Sequence, residues 1–228
     1  IRSHAFVDTR DHEGNSALML AVRSGSTDAA RVLIDAQADV EAIDRSQPTV
    51  LMNAISHGHL ECVRMLVETK ANLEAVGPKR ETALMYAIRK KDLAAMQLLI
   101  DAKANVDAKN DTDTPALVYA CSHEDANCLR ILLEAKANVN TFNISGSTVL
   151  IQAALRDHVA CLRLLIEANA HLDMRHSAGS TAVSAAASKG ASMSLKMLLE
   201  AKADHMTRHR RGKTALMIAA SKGHPGCV

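Results

Sequence analysis

Large aromatic side chains are almost absent from this sequence. Its 228 residues include no Trp, two Phe and two Tyr. Because such rings supply much of the buried area in an ordinary core, this core must be built from Leu, Ile, Val, Met and Ala. The composition therefore favours thin layers of small and medium side chains over one thick hydrophobic centre.

A one-sided charge and long apolar runs are also lacking. Lys and Arg number 27 against 25 Asp and Glu, a net charge of +2, which argues against a general role in binding nucleic acid or membranes. No run approaches the roughly 20 apolar residues that span a bilayer, and no signal peptide is recognisable. The five cysteines are an odd number without a tight pairing pattern. We therefore expect a reducing, intracellular setting in the cytoplasm or nucleus.

Motifs for catalysis and metal binding are missing as well. The sequence contains no P-loop, no G-x-G-x-x-G, no G-x-S-x-G and no H-E-x-x-H. The best histidine pairs, His57 with His59 and His205 with His209, lack a third ligand at a suitable spacing. We therefore predict no catalytic residue, no metal site, no cofactor and no small-molecule substrate.

The sequence does contain a period of 33 residues. An alanine follows three residues after each member of a leucine series, and two further series keep the same spacing. The leucine series, with one valine, is Leu18, Leu51, Leu84, Leu117, Leu150, Val183 and Leu216. Periods of this length are typical of stacked supersecondary units.

Each unit has the pattern of two short helices separated by polar turns. Thr82 can cap a helix in which Leu84 and Ile88 share one face, and Leu129 and Leu132 mark the second helix of the next unit. Neither helix is long enough to be stable alone in water. Stability must therefore come from contacts between neighbouring units.

These units resemble the ankyrin repeat, whose unit also has 33 residues. The signature of that family, T-P-L-H-x-A, is similar to TALMYA at 82–87, TALMIA at 214–219 and TVLMNA at 49–54. The resemblance implies an all-α fold, an ankyrin-repeat α-solenoid of helix-turn-helix units with protruding hairpin-like turns. It covers essentially the whole chain.

The period predicts a single repeat array over residues 1–228. Its expected divisions are a partial repeat at 1–10, full repeats near 11–43, 44–76, 77–109, 110–142, 143–175 and 176–208, and a partial repeat at 209–228. Because neither end shows a polar capping repeat, we expect a segment of a longer array.

Two departures from the family signature have structural consequences. Met replaces the usual His at Met19, Met52, Met85 and Met217, so we expect apolar packing in place of a hydrogen bond. The usual Gly after the second helix is replaced by Gln37, Lys70, Lys103, Lys136, Asn169 and Lys202. At these six positions we predict positive φ, at a cost of roughly 1 kcal/mol each.

Two other repeating features are interpreted as structural. Four cysteines share one place at the start of the second helix, and neighbouring helices are too far apart there for a disulfide. They are Cys62, Cys128, Cys161 and Cys227, which we expect to be small core residues. The pairs of Arg or Lys with an acid four residues later, such as Arg130 with Glu134 and Lys196 with Glu200, indicate a solvated outer face, with contact to a partner as the alternative.

The resemblance implies that partners bind on the concave side, formed by the turns and the exposed side of the first helices. Carried over by position, the candidate partner-binding residues are Arg45, Lys79 and Asp111 at turn tips, Asn53, Tyr86, Tyr119 and Gln152 along first helices, and His57, Arg89, Lys90 and His123 one turn later.

The two tyrosines occupy the same place in adjacent units, so we expect Tyr86 and Tyr119 to stand side by side among basic residues. Tyr and Arg are enriched at binding hot spots, and the hypothesis is a patch for an acidic or phosphorylated peptide. The alternative is that both tyrosines only fill space between repeats. A second basic segment at 208–213, RHRRGK, has the composition to contact phosphates, but the sequence favours nucleic-acid binding less.

The leading hypothesis for function is a protein–protein interaction scaffold that binds a partner protein or peptide, without catalysis. The alternative is a substrate-targeting or regulatory segment of a larger enzyme, such as a phosphatase regulatory subunit or a kinase or ligase fusion. No membrane partner is predicted.

Overall fold

The computed structural model describes residues 7–45, 48–122, 124–177 and 179–228. These residues form thirteen α-helices and no extended strand. The helices are α1 Ala17–Arg23, α2 Thr27–Asp35, α3 Val50–His57, α4 Leu60–Glu68, α5 Ala83–Lys90, α6 Leu93–Asp101, α7 Ala116–Ser122, α8 Ala126–Glu134, α9 Val149–Arg156, α10 Val159–Glu167, α11 Ala182–Lys189, α12 Ser192–Glu200 and α13 Ala215–Lys222. The all-α fold expected from the sequence is confirmed.

The chain divides into two compact units. The first, Ile1–Asp111, contains α1 to α6, and the second, Thr112–Val228, contains α7 to α13. Each repeat expected from residue 11 to residue 208 holds one first helix and one second helix. Isolated antiparallel bridges at Arg10 with Ser16, Ile43 with Thr49 and Phe142 with Thr148 give the turns a hairpin-like form. The single repeat array over the whole chain stays a prediction.

Hydroxyl residues cap the first helices of the described repeats except α7, which follows Pro115. The Thr82 side chain accepts a hydrogen bond from the Met85 amide at the start of α5, and Thr148 does the same for Ile151 at the start of α9. The same cap is present at Ser16, Thr49, Thr181 and Thr214. Such a cap is worth about 1 kcal/mol, which explains how helices of seven or eight residues start at a fixed place.

The turn after each second helix is left-handed, as the sequence predicts. φ is 68° at Gln37, 61° at Lys70, 72° at Lys103, 65° at Lys136, 58° at Asn169 and 66° at Lys202. In the fourth repeat the Lys136 amide donates to the Leu133 carbonyl and the Ala137 amide to the Leu132 carbonyl, at 3.0 Å each. These bonds satisfy carbonyls that the end of α8 leaves free, and they require the positive φ.

The repeating apolar residues form the core in both units. The first-helix series from Leu18 to Val183 is at most 1% exposed. Met19, Met52 and Met85 are fully buried, which confirms the apolar packing expected where the family signature has His. Leu216 and Met217, on α13, are about half exposed. All five cysteines are buried, and none of them is in a disulfide bond.

A ladder of side chain to backbone hydrogen bonds joins successive repeats on the side of the second helices. In the first unit, Glu41 accepts from the Asn72 amide and Glu74 from the Asn105 amide, at 2.7 Å each. In the second unit, Asp173 accepts from the Asp204 amide at 2.8 Å. The acceptor recurs in the 33-residue register, and sequence analysis missed it.

The outer face of the second helices is solvated, as expected. Lys196 and Glu200 lie 3.9 Å apart with side chains 69% and 65% exposed, whereas Arg64 contacts Glu61 at 3.7 Å. Exposed pairs of this kind contribute about 0–1 kcal/mol, so this face adds little to stability. In the described part of the chain, no helix has both the length and the apolar character needed to cross a membrane.

Candidate interaction surface

The turns and the adjoining faces of the first helices carry the side chains that do not repeat. We call this region, in either unit, the turn-side surface. In the first unit, six candidate partner-binding residues of this surface are exposed: Arg45, His57, Lys79, Arg89, Lys90 and Asp111. The Asp111 amide donates to the Lys79 carbonyl at 2.8 Å, which ties consecutive turn tips together.

Tyr86 is buried, and the expectation that its ring is accessible is wrong. The side chain of this residue is covered by Arg89, whose guanidinium carbon lies 4.4 Å from the centroid of the Tyr86 ring. Arg89 also lies 3.6 Å from the Glu81 carboxylate, which is 7% exposed. Burial raises the pKa of the Tyr86 phenol, and the positive charge of Arg89 partly offsets this. Tyr86 therefore belongs to a packed cluster beneath the surface.

Asn53 is also buried, at 3% exposure, instead of lying on the open side of α3. Its Oδ1 accepts from Arg23 Nε at 3.3 Å, and Arg23 also donates to Asn15 Oδ1 at 2.7 Å. The same guanidinium pairs with the Asp44 carboxylate, which is 2% exposed. The network satisfies the polar groups that burial would otherwise leave unpaired. It joins the first two full repeats, which the sequence alone did not indicate.

These pairings lower the positive charge that the sequence suggests for the first unit. Arg23 and Arg89 each face a buried carboxylate, that of Asp44 and Glu81 respectively. Each carboxylate partly neutralises the charge of its arginine, whose own side chain stays accessible, 26% exposed in Arg23 and 41% in Arg89. The exposed basic side chains of Arg45, Lys79 and Lys90 remain on the turn-side surface of this unit, together with the exposed carboxylate of Asp111.

Two histidines near this surface lie within hydrogen-bond distance of backbone carbonyl oxygens. His57 Nδ1 lies 2.9 Å from the Asn53 carbonyl oxygen, and His59 Nε2 lies 3.0 Å from that of Arg23. The two rings stack with centroids 6.3 Å apart. In the part of the chain that the structure describes, no group of three His, Cys, Asp or Glu side chains is placed to hold a metal ion.

Two further candidates, Tyr119 on α7 and Gln152 on α9, are half-buried in the second unit. Gln152 Nε2 donates to Ser147 Oγ at 2.8 Å, and its Oε1 accepts from Arg156. His123 lies outside the described residues. Tyr86 and Tyr119 belong to different units, so their expected side-by-side placement stays a prediction.

The second unit contains a groove that sequence analysis did not find. It has a volume of about 480 Å³ and lies against turns and first helices of the last three repeats of the chain. Seven serines and the basic residues Arg211, Lys213 and Lys222 line it. Its floor is apolar, with Ile151 and Ile218 at 3% and 7% exposure. Gln152, a candidate partner-binding residue from the sequence, also lines the groove.

Sequence analysis also gave no role to Cys121. Its thiol contacts that of Cys161, and this neighbour together with burial raises the pKa of Cys121. The two cysteines lie on α7 and α10, so only their packing in adjacent repeats brings them together. Both side chains are fully buried, which makes the pair part of the core of the second unit.

Comparison with known proteins gives one consistent result. A family model described as "Ankyrin repeats (3 copies)" matches residues 1–76, 18–110, 84–176, 117–209 and 150–228. A search of curated proteins found no significant match.

Several solved structures are similar in fold. The ankyrin repeat domain of Bcl-3, described as a unique member of the IkappaB protein family, is 24% identical, with 91% of this chain and 95% of that chain covered and a TM-score of 0.86. That of human ASB11 is 24% identical, with 93% and 96% covered and a TM-score of 0.79. An ankyrin repeat domain from Acinetobacter baumannii AYE is 23% identical, with 82% and 98% covered and a TM-score of 0.77.

Proposed function

This chain belongs to the ankyrin repeat family, whose domains generally mediate protein–protein interaction, and we propose that it binds a partner protein or peptide through its turn-side surface. In the family this is the concave side. The proposed contact residues of the first unit are Arg45, His57, Lys79, Arg89, Lys90 and Asp111. Those of the second unit are Tyr119 and Gln152.

One observation carries the proposal. The apolar residues that repeat are buried, as Leu51 and Leu84 are, whereas the accessible residues of the turn side differ from repeat to repeat. His57 and Lys90, for example, hold the same register position in successive repeats, and both are exposed. A constant framework that displays variable side chains suits recognition of a specific partner.

In this proposal, Asn53 and Tyr86 position arginines of the turn-side surface and do not contact the partner directly. Arg89 covers the Tyr86 ring, so a partner reaches the guanidinium first. Asn53 fixes Arg23 through a hydrogen bond. Substituting either residue would act on binding through the position of an arginine, not through direct contact.

The proposed function includes no catalytic step, since the family is typically non-enzymatic. It also includes an intracellular setting in the cytoplasm or nucleus. The support for this setting is that none of the five cysteines is in a disulfide bond, and reduced cysteines persist in reducing compartments.

Site-specific photo-crosslinking in cell lysate tests the proposal. A benzophenone amino acid replaces Lys79 or Lys90 on the turn side and, as matched exposed controls on second helices, Arg64 or Gln97. We expect discrete crosslinked proteins from the turn-side positions and none from the controls. Equal crosslinking from both sets, or crosslinking from the controls alone, would overturn the proposal.

A further inference from the structure

The groove of the second unit exists because one repeat carries small side chains on its turn side. In α11 these residues are Ser184, Ala185 and Ser188, and all three line the groove. The corresponding residues of α5, in the first unit, are Met85, Tyr86 and Arg89. There, the Tyr86 ring and the Arg89 guanidinium stacked on it fill the space.

Polar donors and positive charge line the groove. Arg211, Lys213 and Lys222 are exposed along it, and among the described lining residues none is Asp or Glu. The serines add hydroxyl groups, although three of them already donate to backbone carbonyls: Ser177 to Ser145 at 2.6 Å, Ser184 to Thr181 at 3.1 Å and Ser221 to Ile218 at 3.0 Å. The groove therefore has a positive rim above an apolar floor.

Acidic residues of this region are engaged elsewhere. Between positions 143 and 228 there are five Asp or Glu and eleven Lys or Arg, so the placement of the five decides the local field. Asp157 accepts from the amide and hydroxyl of Ser194 at 3.0 and 2.6 Å. Asp173 and Asp204 lie in the hydrogen-bond ladder after the second helices.

The other two acids, Glu167 and Glu200, end the second helices α10 and α12. Glu200 faces Lys196 at 3.9 Å on the solvated side. Carboxylates are thus segregated to the second-helix side, and the positive charge of the groove is left without an acidic neighbour in its lining. This asymmetry is a signature of electrostatic complementarity with an anionic partner.

We propose that this groove binds an extended acidic segment of a partner protein. The inference rests on the proposed function and names the chemical class of the partner at this part of the turn-side surface. Carboxylates of the segment pair with Arg211, Lys213 and Lys222, and its alternate side chains lie on the apolar floor. The volume of about 480 Å³ falls in the range of roughly 300–1,000 Å³ that is typical of ligand sites.

A protein segment fits this groove better than a nucleic acid does. Single-stranded nucleic acids are held by basic grooves in which aromatic side chains stack on the bases. Among the described residues that line this groove, the aromatic rings are the imidazoles of His176 and His209, and none is Phe, Tyr or Trp. The apolar floor formed by Ile151 and Ile218 can pack against aliphatic side chains of a peptide, whereas a charged phosphate backbone gains no favourable contact from it.

Fluorescence anisotropy at low ionic strength measures the binding. The probe is a labelled peptide of alternating Glu and Ala, and its matched control has Gln in place of each Glu. A single-stranded oligonucleotide of equal charge is the second comparison. We expect the Glu peptide to bind at least about tenfold more tightly than the Gln peptide.

The decisive variant is the double substitution Ala185→Tyr with Ser188→Arg, which copies the filled arrangement of Tyr86 and Arg89. It adds a positive charge, so non-specific attraction of the peptide would strengthen. The proposal predicts the opposite, a loss of at least about tenfold in affinity, because the groove is occupied. Circular dichroism and gel filtration confirm that the variant is folded.

A pair of charge reversals provides a matched comparison. Arg211→Glu with Lys213→Glu alters the groove, and Arg163→Glu with Lys196→Glu makes the same charge change on second helices. The first pair should weaken peptide binding at least about tenfold and the second less than about twofold.

Three results would overturn the inference: unchanged affinity in the filled variant, equal weakening by both reversal pairs, or tighter binding of the oligonucleotide. If the inference fails while crosslinks still form from Lys79 and Lys90, the proposed function stands and only the assignment of this groove is wrong.

Discussion

Replacing Lys136 with glycine tests the left-handed turn that ends the second helix. Lys136 has φ 65° and an exposed side chain, so the substitution removes little packing. The left-handed region costs a non-glycine residue about 1–2 kcal/mol. Glycine also gives the unfolded chain more freedom, which returns about 0.4–1 kcal/mol to the unfolded state. With the middle value of each range, the net prediction is that Lys136→Gly stabilises the fold by about 0.8 kcal/mol.

Urea denaturation followed by far-ultraviolet circular dichroism measures the effect. Arg130→Gly is the control, because Arg130 is exposed in the middle of α8 and glycine there should destabilise by about 1 kcal/mol. Asn169→Gly should gain less than Lys136→Gly, since asparagine tolerates the left-handed region better than lysine. The reasoning is refuted if Lys136→Gly is neutral or destabilising while Arg130→Gly behaves as expected.

Three further perturbations address other parts of the account. Gly25→Ala should destabilise the fold by about 2–3 kcal/mol, because φ at Gly25 is +71° and the new Cβ would lie 2.6 Å from His59 Nδ1. A change in unfolding free energy below about 1 kcal/mol in urea denaturation contradicts this prediction. Asp173→Ala should cost about 0.5–1.5 kcal/mol through its lost ladder bond, and unchanged denaturation argues against the ladder. In the Tyr119→Phe variant, Tyr86 is the remaining tyrosine, and its absorbance titration should have a midpoint above the ordinary pKa of 10.0. The stabilisation that the neutral phenol contributes to the fold should be lost as the pH rises through that midpoint. A midpoint at or below 10.0 contradicts the burial of this side chain.

The structural features that the sequence predicts best are those that depend on local backbone chemistry. Thr82 caps α5 and Lys136 adopts positive φ, and both follow from the position of one residue in the period. Burial of Leu51 and Met52 follows in the same way, because every repeat packs the same face against its neighbours. A periodic signal is therefore a reliable guide to what the repeats share.

Exposure on the turn side was harder to predict because it depends on residues that do not share one register. Tyr86 is buried because Arg89 lies over its ring and Glu81 holds Arg89. Asn53 is buried because Arg23, 30 residues earlier, reaches across to it. Such contacts join side chains from different positions of the repeat, and the period contains no information about them.

The groove of the second unit was missed for a different reason. Its cause is the small size of Ala185 and Ser188 at positions where another repeat has a tyrosine and an arginine. Alanine and serine carry no chemically distinctive group that would mark a binding site in the sequence. Comparing side-chain volume at equivalent positions of the repeats would have indicated a cavity near Ala185.

The central claim is that a partner binds the turn-side surface. The most direct test is calorimetric titration, with the partner identified by crosslinking, of two variants that carry equal charge changes. The turn-side set is Lys79→Glu, Lys90→Glu and Lys213→Glu, and the second-helix set is Arg31→Glu, Arg64→Glu and Arg163→Glu. We predict that the turn-side set weakens affinity at least about tenfold and the second-helix set less than about twofold. A second-helix set that weakens binding as much as the turn-side set, or more, would contradict the account.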